Sequence, residues 1–241
     1  MDRALFAAAT GMAAQQQNLD TIANNLANAD VVGFKGSADE FAALAAPGQP
    51  GAGTVRTSEH AIFTQGKLER SDGPFDMAID GDGFFVVSNG HECAYTRDGS
   101  FARAADGTLQ NAQGWRLDGV RIPADALTAT VRPDGDVEVT TPGGRHAVAR
   151  LRIARFAAPE YLRSIDGALF AQTPQSGPPR TIAPGTDDGP NVRFGMLERS
   201  NVSIIESMMQ ILTAQRAYEA NAKGIQAADE MLRIANNLQR G

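Results

Sequence analysis

One cysteine, Cys93, and one tryptophan, Trp115, stand in 241 residues; aromatic side chains make up 6% of the chain and histidines number three. A lone cysteine excludes an intrachain disulfide and any multi-cysteine metal site. Its expected place is a half-buried position in a strand. His60, His91 and His146 show no metal-type spacing and none adjoins an evident nucleophile, so each reads as a surface or strand histidine. No run of about 18 apolar residues exists, so no membrane-spanning helix is expected. No lysine- or arginine-rich block occurs, and the net charge is −6. That argues against nucleic acid as the main partner, because phosphate binding needs a basic surface. The first residues lack a basic leader followed by an unbroken apolar stretch, and Gln15, Gln16, Gln17 and Asn18 interrupt them early. The expectation is a chain without a cleaved secretory signal.

What is present sits at both ends. Leu5, Met12, Leu19 and Leu26 recur every seven residues, as do Ile204, Ile211, Tyr218, Ile225 and Leu232. A seven-residue apolar repeat marks the seam of a helix that packs on another helix. The first seam predicts a helix from residue 3 to about 30, rich in alanine, with Asp2 as a cap and Gly33 as the stop. Its stripe is thin, and such a helix is marginal until a partner covers it. The second predicts a longer helix from 203 to about 238, opened by a capping box at Ser203 and Glu206. Ile204 with Ile205, Met208, Ile211 with Leu212, Gln215, Tyr218, Ala222, Ile225, Ala228, Leu232 and Ala235 are expected on one stripe.

Between the ends the chain changes character. Pro47-Gly48-Gln49-Pro50-Gly51 breaks regular structure, and residues 36–58 read as a linker or extended segment. From residue 59 to 199, turn pairs such as Asn89-Gly90, Asp98-Gly99, Asp106-Gly107 and Asp118-Gly119 separate short runs such as Phe84-Phe85-Val86-Val87 and Val137-Glu138-Val139. Asx-Gly between β-formers is a hairpin signal, and its regular recurrence predicts an antiparallel β domain. The fold class is therefore α+β: residues 1–35 and 200–241 pair as a coiled coil, with a central antiparallel β domain between them.

Motifs for chemistry fail on inspection. Asp80-Gly81-Asp82-Gly83 begins like a calcium loop, but Phe84-Phe85-Val86-Val87 stands where further oxygen ligands are needed, so a tight turn is the better reading. No Gly-Lys-Ser/Thr completes a phosphate loop. No carboxylate pair is singled out for hydrolysis. Trp115 reads as a core or hairpin side chain. The expectation is a protein that is not an enzyme and needs no metal or cofactor.

Three ordered blocks then carry a resemblance. The first is Asn18-Leu19-Asp20-Thr21-Ile22-Ala23-Asn24-Asn25-Leu26-Ala27-Asn28 followed by Gly33-Phe34-Lys35. The second is Gln65-Gly66-Lys67-Leu68, Pro74-Phe75-Asp76-Met77-Ala78-Ile79-Asp80-Gly81-Asp82-Gly83-Phe84-Phe85-Val86-Val87 and Tyr95-Thr96-Arg97-Asp98-Gly99-Ser100-Phe101. The third is Leu197-Glu198-Arg199-Ser200-Asn201-Val202 with Gln215-Arg216-Ala217-Tyr218-Glu219-Ala220-Asn221. Together they resemble the bacterial flagellar axial proteins, and most of all the basal-body rod branch. The short segment after Lys35 is more like a proximal rod subunit, while the tail block resembles the distal type about equally. Asp30-Val31-Val32 replaces the family's usual Ser or Thr before Gly-Phe-Lys, which implies a different helix exit.

The resemblance implies a structural subunit of the rod, polymerising through its terminal helices into the helical drive shaft that carries torque from motor to hook. It implies export through the flagellar type III apparatus without cleavage and residence in the periplasmic space. Implied partners are other copies and neighbouring axial proteins, with no nucleic acid and no membrane insertion. The expected assembly interface is Leu5, Met12, Leu19, Ile22, Asn24, Asn25, Leu26, Phe34, Ile204, Met208, Ile211, Gln215, Tyr218, Ile225 and Leu232, with Asn24 and Asn25 fixing register. Other readings compete: a distal rod or hook-type axial subunit, an assembly cap or scaffold of the same export class, and a cell-wall hydrolase.

Overall fold

A computed structural model describes residues 2–44, 53–186 and 189–240. The Pro-Gly run at 47–51 and the terminal Gly241 lie outside the described residues, as does the side chain of Leu232. The chain divides into two units.

The first unit holds α1 (Asp2–Ala27), β1 (Ser37–Ala43), β2 (Thr54–Ala61, whose last residue falls to the other unit) and α2 (Ile204–Arg240). α1 ends at Ala27, and Gly33, with φ +68°, belongs to the turn beyond it. Glu206 N–H donates to Ser203 Oγ at 3.4 Å and Ser207 N–H to Ser203 O at 2.9 Å, so Ser203 caps α2.

α1 and α2 pack on each other. They meet through small side chains. Ala14, Ala214, Ala228 and Ser207 are buried on that pair, and a Cβ added at Gly11 would lie 3.1 Å from Asn221 Nδ2. Ser207, Ala214, Asn221 and Ala228 form a second seven-residue row on α2, which lets the backbones approach more closely than leucine would permit. The large residues flank this line. Leu5, Met12, Leu19, Leu26, Ile211 and Ile225 are half-buried, and Ile22 is buried.

Residues 36–58, expected as a linker or extended segment, hold strand β1 and the start of β2. β1 and β2 pair with each other, with Leu44 N–H donating to Gly53 O at 2.8 Å at the far end. The ribbon packs on α1. Thr21 Oγ1 donates to Asp39 Oδ2 at 2.8 Å, and Thr54 N–H donates to Thr10 Oγ1 at 3.2 Å.

The second unit comprises 28–36 and 61–201. Its largest sheet is antiparallel, in the order Arg163–Asp166, Leu169–Ala171, Cys93–Thr96, Phe84–Ser88, Arg116–Arg121, Thr108–Gln110 and Ala102–Arg103. Ile153–Arg155 joins the strand Phe84–Ser88 and also pairs Arg180–Ile182. Thr128–Val131, Asp136–Thr141 and Gly144–Arg150 form a three-stranded sheet. Alternation at Asp136–Thr141 sends Val137 and Val139 inward, where they are buried with Met77, Ile79, Phe85, Leu109, Leu151 and Ile153. Each such side chain contributes roughly 1.5–3 kcal/mol. Trp115 packs partly buried against this core. A second cluster stacks Phe63, Phe84, Tyr95, Phe156 and Phe170 edge to face, with centroids 4.7–5.9 Å apart along the chain of contacts. Cys93, expected half-buried, is exposed at the start of its strand.

Candidate assembly site

Twelve of the fifteen expected interface residues fall into three groups. Ile22, Leu5, Met12, Leu19, Leu26, Ile211 and Ile225 lie at or beside the line where α1 meets α2. Ile204, Met208 and Tyr218, expected on the same stripe of α2, are instead 43, 53 and 39% exposed, and Gln215 is exposed. The reason is the row of small residues: it turns α2 so that Ser207 and Ala214 face inward, and the next position along each turn faces out. Phe34 lies outside the helical unit altogether, buried in the β unit.

The asparagines expected to fix register differ from each other. Asn24 is exposed. Asn25 binds the ribbon: its Nδ2 donates to Ser37 O at 2.7 Å, and Ser37 N–H donates to its Oδ1 at 2.9 Å. The amide thus offers Ser37 both bonds that a strand neighbour would supply. Asn25 sets the ribbon against the helix, a role that seven-residue periodicity does not reveal.

The β unit contains a site that charge spacing in the sequence did not expose. Glu198 and Lys35 are fully buried and Arg97 nearly so. Lys35 Nζ donates to Glu198 Oε1 at 2.6 Å and to Thr64 O at 2.7 Å. Arg97 Nη1 donates to Glu198 Oε2 at 3.2 Å, and Gly66 N–H to Oε1 at 2.8 Å. Arg97 also lies over the Phe84 ring, 5.4 Å from its centroid, while its Nε finds no acceptor among the described residues. Two cations thus share one carboxylate away from water. Burial pulls the pKa of both Lys35 and Arg97 down, against the attraction of Glu198. The partners come from Gly33-Phe34-Lys35, Gln65-Gly66, Arg97-Asp98-Gly99 and Glu198-Arg199: pieces of all three motif blocks meet here. The missed signal was the single opposite charges inside blocks that have no helical period.

Glycines permit the convergence. A Cβ at Gly66 would lie 1.9 Å from Arg199 O, and one at Gly33 would lie 2.3 Å from Asp98 N. Asp98 is partly buried. Its carboxylate accepts from Ser100 N–H at 2.9 Å and Ser100 Oγ at 2.6 Å. Burial, the largest influence, nevertheless raises its pKa above the ordinary 3.8. The folded state therefore holds this proton to higher pH than the unfolded chain. Stability from this group is greatest below pH 3.8 and falls as pH rises through the raised value. Asp98→Asn, which keeps the acceptor oxygen, is expected to match or exceed the parent in thermal stability at pH 7, with the difference shrinking toward pH 4. Melting curves of both chains across that range check it; an asparagine variant that is weaker at pH 7 would show that the charged hydrogen bonds outweigh burial.

The Asp80-Gly81-Asp82-Gly83 turn joins two strands, and its carboxylates face arginines: Asp80 lies 2.8 Å from Arg193 and Asp82 3.4 Å from Arg155. Among the described residues no helix is long and apolar enough to cross a membrane.

Paired terminal helices, with a β unit between them in the chain, define an axial-type protein, and comparisons with known proteins agree. Residues 5–35 match the family model described as flagella basal body rod protein, residues 78–139 the flagellar hook protein FlgE/F/G D1 domain, and residues 194–238 the flagellar basal body rod FlgEFG protein C-terminal. The flagellar basal-body rod protein FlgG of Borreliella burgdorferi is 39% identical over 264 residues, covering 100% of both chains. That of Agrobacterium fabrum is 36% identical over 259 residues, covering 97% of this chain and 98% of its own. The FlgF protein of Caulobacter vibrioides is 33% identical over 253 residues, covering 98% of this chain and 97% of its own. The chain belongs to the flagellar basal-body rod protein family.

Proposed function

We propose that this chain is a structural subunit of the bacterial flagellar basal-body rod, of the FlgG kind, which polymerises through its terminal helices into the shaft that carries torque from motor to hook. The observation that carries the reading is the full-length match to rod proteins named FlgG, together with apolar side chains left outside the α1–α2 seam. Ile205, Met208, Met209 and Leu212 are 53–75% exposed over the first turns of α2. A helix that is apolar on a second face is suited to a second neighbour. The short segment after Lys35 is more like a proximal subunit; the FlgG reading is supported by the whole chain, which aligns with the Borreliella FlgG protein over the full length of both at 39% identity.

Each copy then presents two different complementary surfaces, the arrangement that builds an open helical polymer. Its partners are other copies and neighbouring axial proteins. The chain reaches the periplasmic space by the flagellar export apparatus with nothing removed, acts without catalysis, and does not insert into a membrane. Cryo-electron microscopy of isolated basal bodies tests the placement directly: density for this chain in the rod is expected, and its absence would favour the cap or scaffold reading. Leu26→Asp and Ile211→Asp are expected to leave the β unit folded while stopping rod assembly and swimming. Normal swimming in both variants would refute the role of the seam.

A further inference from the structure

The chain crosses between its two units four times: at 27/28, 36/37, 60/61 and 201/202. Each of these segments is tied, inside the β unit, to the same few residues. The segment entering at 28 is held by Gly33 N–H to Glu198 O at 2.7 Å, and by Asp30 with Arg199 at 3.0 Å. The segment leaving at 36 is held by Gly36 N–H to Asn201 Oδ1 at 2.9 Å. The segment returning at 61 is held by Ile62 N–H to Gly36 O and by Asn201 Nδ2 to Ile62 O, both 2.7 Å. The last departs from Asn201 itself, three residues after Glu198. Beneath these bonds lies the buried Lys35–Glu198–Arg97 cluster.

We propose that this cluster is a mechanical clamp: it binds together all the strands through which force enters the β unit, so that pulling on the chain loads a dry ionic joint before it can peel any strand. Tension between the chain ends enters the β unit at residue 28 and leaves at Asn201, and the joint it meets between them is Gly33 N–H on Glu198 O followed by the Lys35–Glu198 ion pair, three residues before that exit. Separating it exposes unpaired charge in a low-dielectric interior, where no water replaces the lost partner at once. Resistance to force here is distinct from resistance to denaturant. A buried ionic triad is commonly replaceable by apolar side chains without loss of equilibrium stability. Apolar contacts lack the short-range directional bonds that hold two strand ends in register.

The clamp takes its purpose from the rod reading, but its test does not need assembly. The full chain, with handles fused to both ends, is stretched one molecule at a time. The parent is expected to release residues 28–201, 174 in all because 37–60 lies between the two pieces of the β unit, in one step of roughly 59 nm, at about 3.4 Å per residue, with a high peak force. The triple variant Lys35→Met/Arg97→Met/Glu198→Leu is expected to keep or raise its urea midpoint yet lose peak force. Val137→Ala, in the core of the three-stranded sheet, is expected to do the opposite: a lower urea midpoint and an unchanged peak. Peak force that simply follows the urea midpoint across the three chains overturns the clamp. Should the triple variant fail to fold, Glu198→Gln replaces it, and a peak no lower than that of a Val137 variant of matched urea midpoint is the refuting result. Failure of the clamp leaves the rod reading intact, whereas absence of the chain from basal bodies removes that reading without touching the force measurements.

Discussion

Truncating Glu198 to alanine is expected to cost the β unit about 3–5 kcal/mol, the penalty for leaving buried charges without their partner. Lys35 and Arg97 would face each other with no anion between them, and Gly66 N–H would lose its acceptor. Against a total of about 5–15 kcal/mol for a typical domain, this removes a large part of the margin. Trp115 is the only tryptophan and sits against the β core, so its fluorescence during urea denaturation reports this unit alone. A surface pair gives the contrast. Arg155 and Asp82 are both largely exposed, and removing either should change stability by less than about 1 kcal/mol. A Glu198→Ala midpoint within error of the parent would mean that water reaches the cluster and that its burial is not maintained in solution.

Gly99→Ala is expected to prevent the β unit from folding, or to destabilise it by more than about 4 kcal/mol, the range reserved for backbone or core disruption. A Cβ there would lie 1.6 Å from Met77 O and 2.7 Å from its carbonyl carbon. Neither side can yield. Gly99 O accepts from Met77 N–H at 3.1 Å, and Met77 is fully buried in a strand paired with Asn191–Phe194. Gly90 supplies the comparison. It has φ +92° but open space around it, so Gly90→Ala carries only backbone strain of about 1–2 kcal/mol. Yield of soluble protein and thermal melting of both variants decide the matter. A Gly99→Ala chain melting within a few degrees of the parent would show that this close approach is not obligatory.

The two glycines look alike in the sequence, each closing an Asx-Gly pair between β-formers. Only the fold separates them, because the obstacle at Gly99 is a carbonyl 22 residues earlier in the chain. The same holds for the charge cluster. Lys35, Gly66, Arg97 and Glu198 all stood within recognisable blocks, yet nothing local says that they meet: their spacings follow neither 2.0 nor 3.6, and ion pairing across 163 residues leaves no periodic trace.

The helices were easier to read, since seven-residue repeats and alanine-rich composition are local properties. Even there the large side chains drew attention away from the small ones. Leu19 and Ile211 announce a seam, but Ala14, Ser207 and Ala214 are the residues buried there while Leu19 and Ile211 are only half-buried, because a helix contact that needs the absence of bulk is not registered by hydrophobicity. The ribbon β1–β2 was obscured for the opposite reason. Its Pro-Gly interruption is a strong local signal, while the bonds that seat it on α1, from Thr10, Thr21 and Asn25, are long-range.

By itself the sequence determined the two long terminal helices, the antiparallel β region between them and membership among flagellar axial proteins, for these follow from periodicity, turn chemistry and motif blocks written along neighbouring residues. Tertiary structure alone decided which face of α2 meets α1, that Asn25 serves the ribbon, and that Lys35, Arg97 and Glu198 form one buried joint. Those outcomes depend on distances between residues remote in the chain, and such distances are set only when the backbone closes on itself.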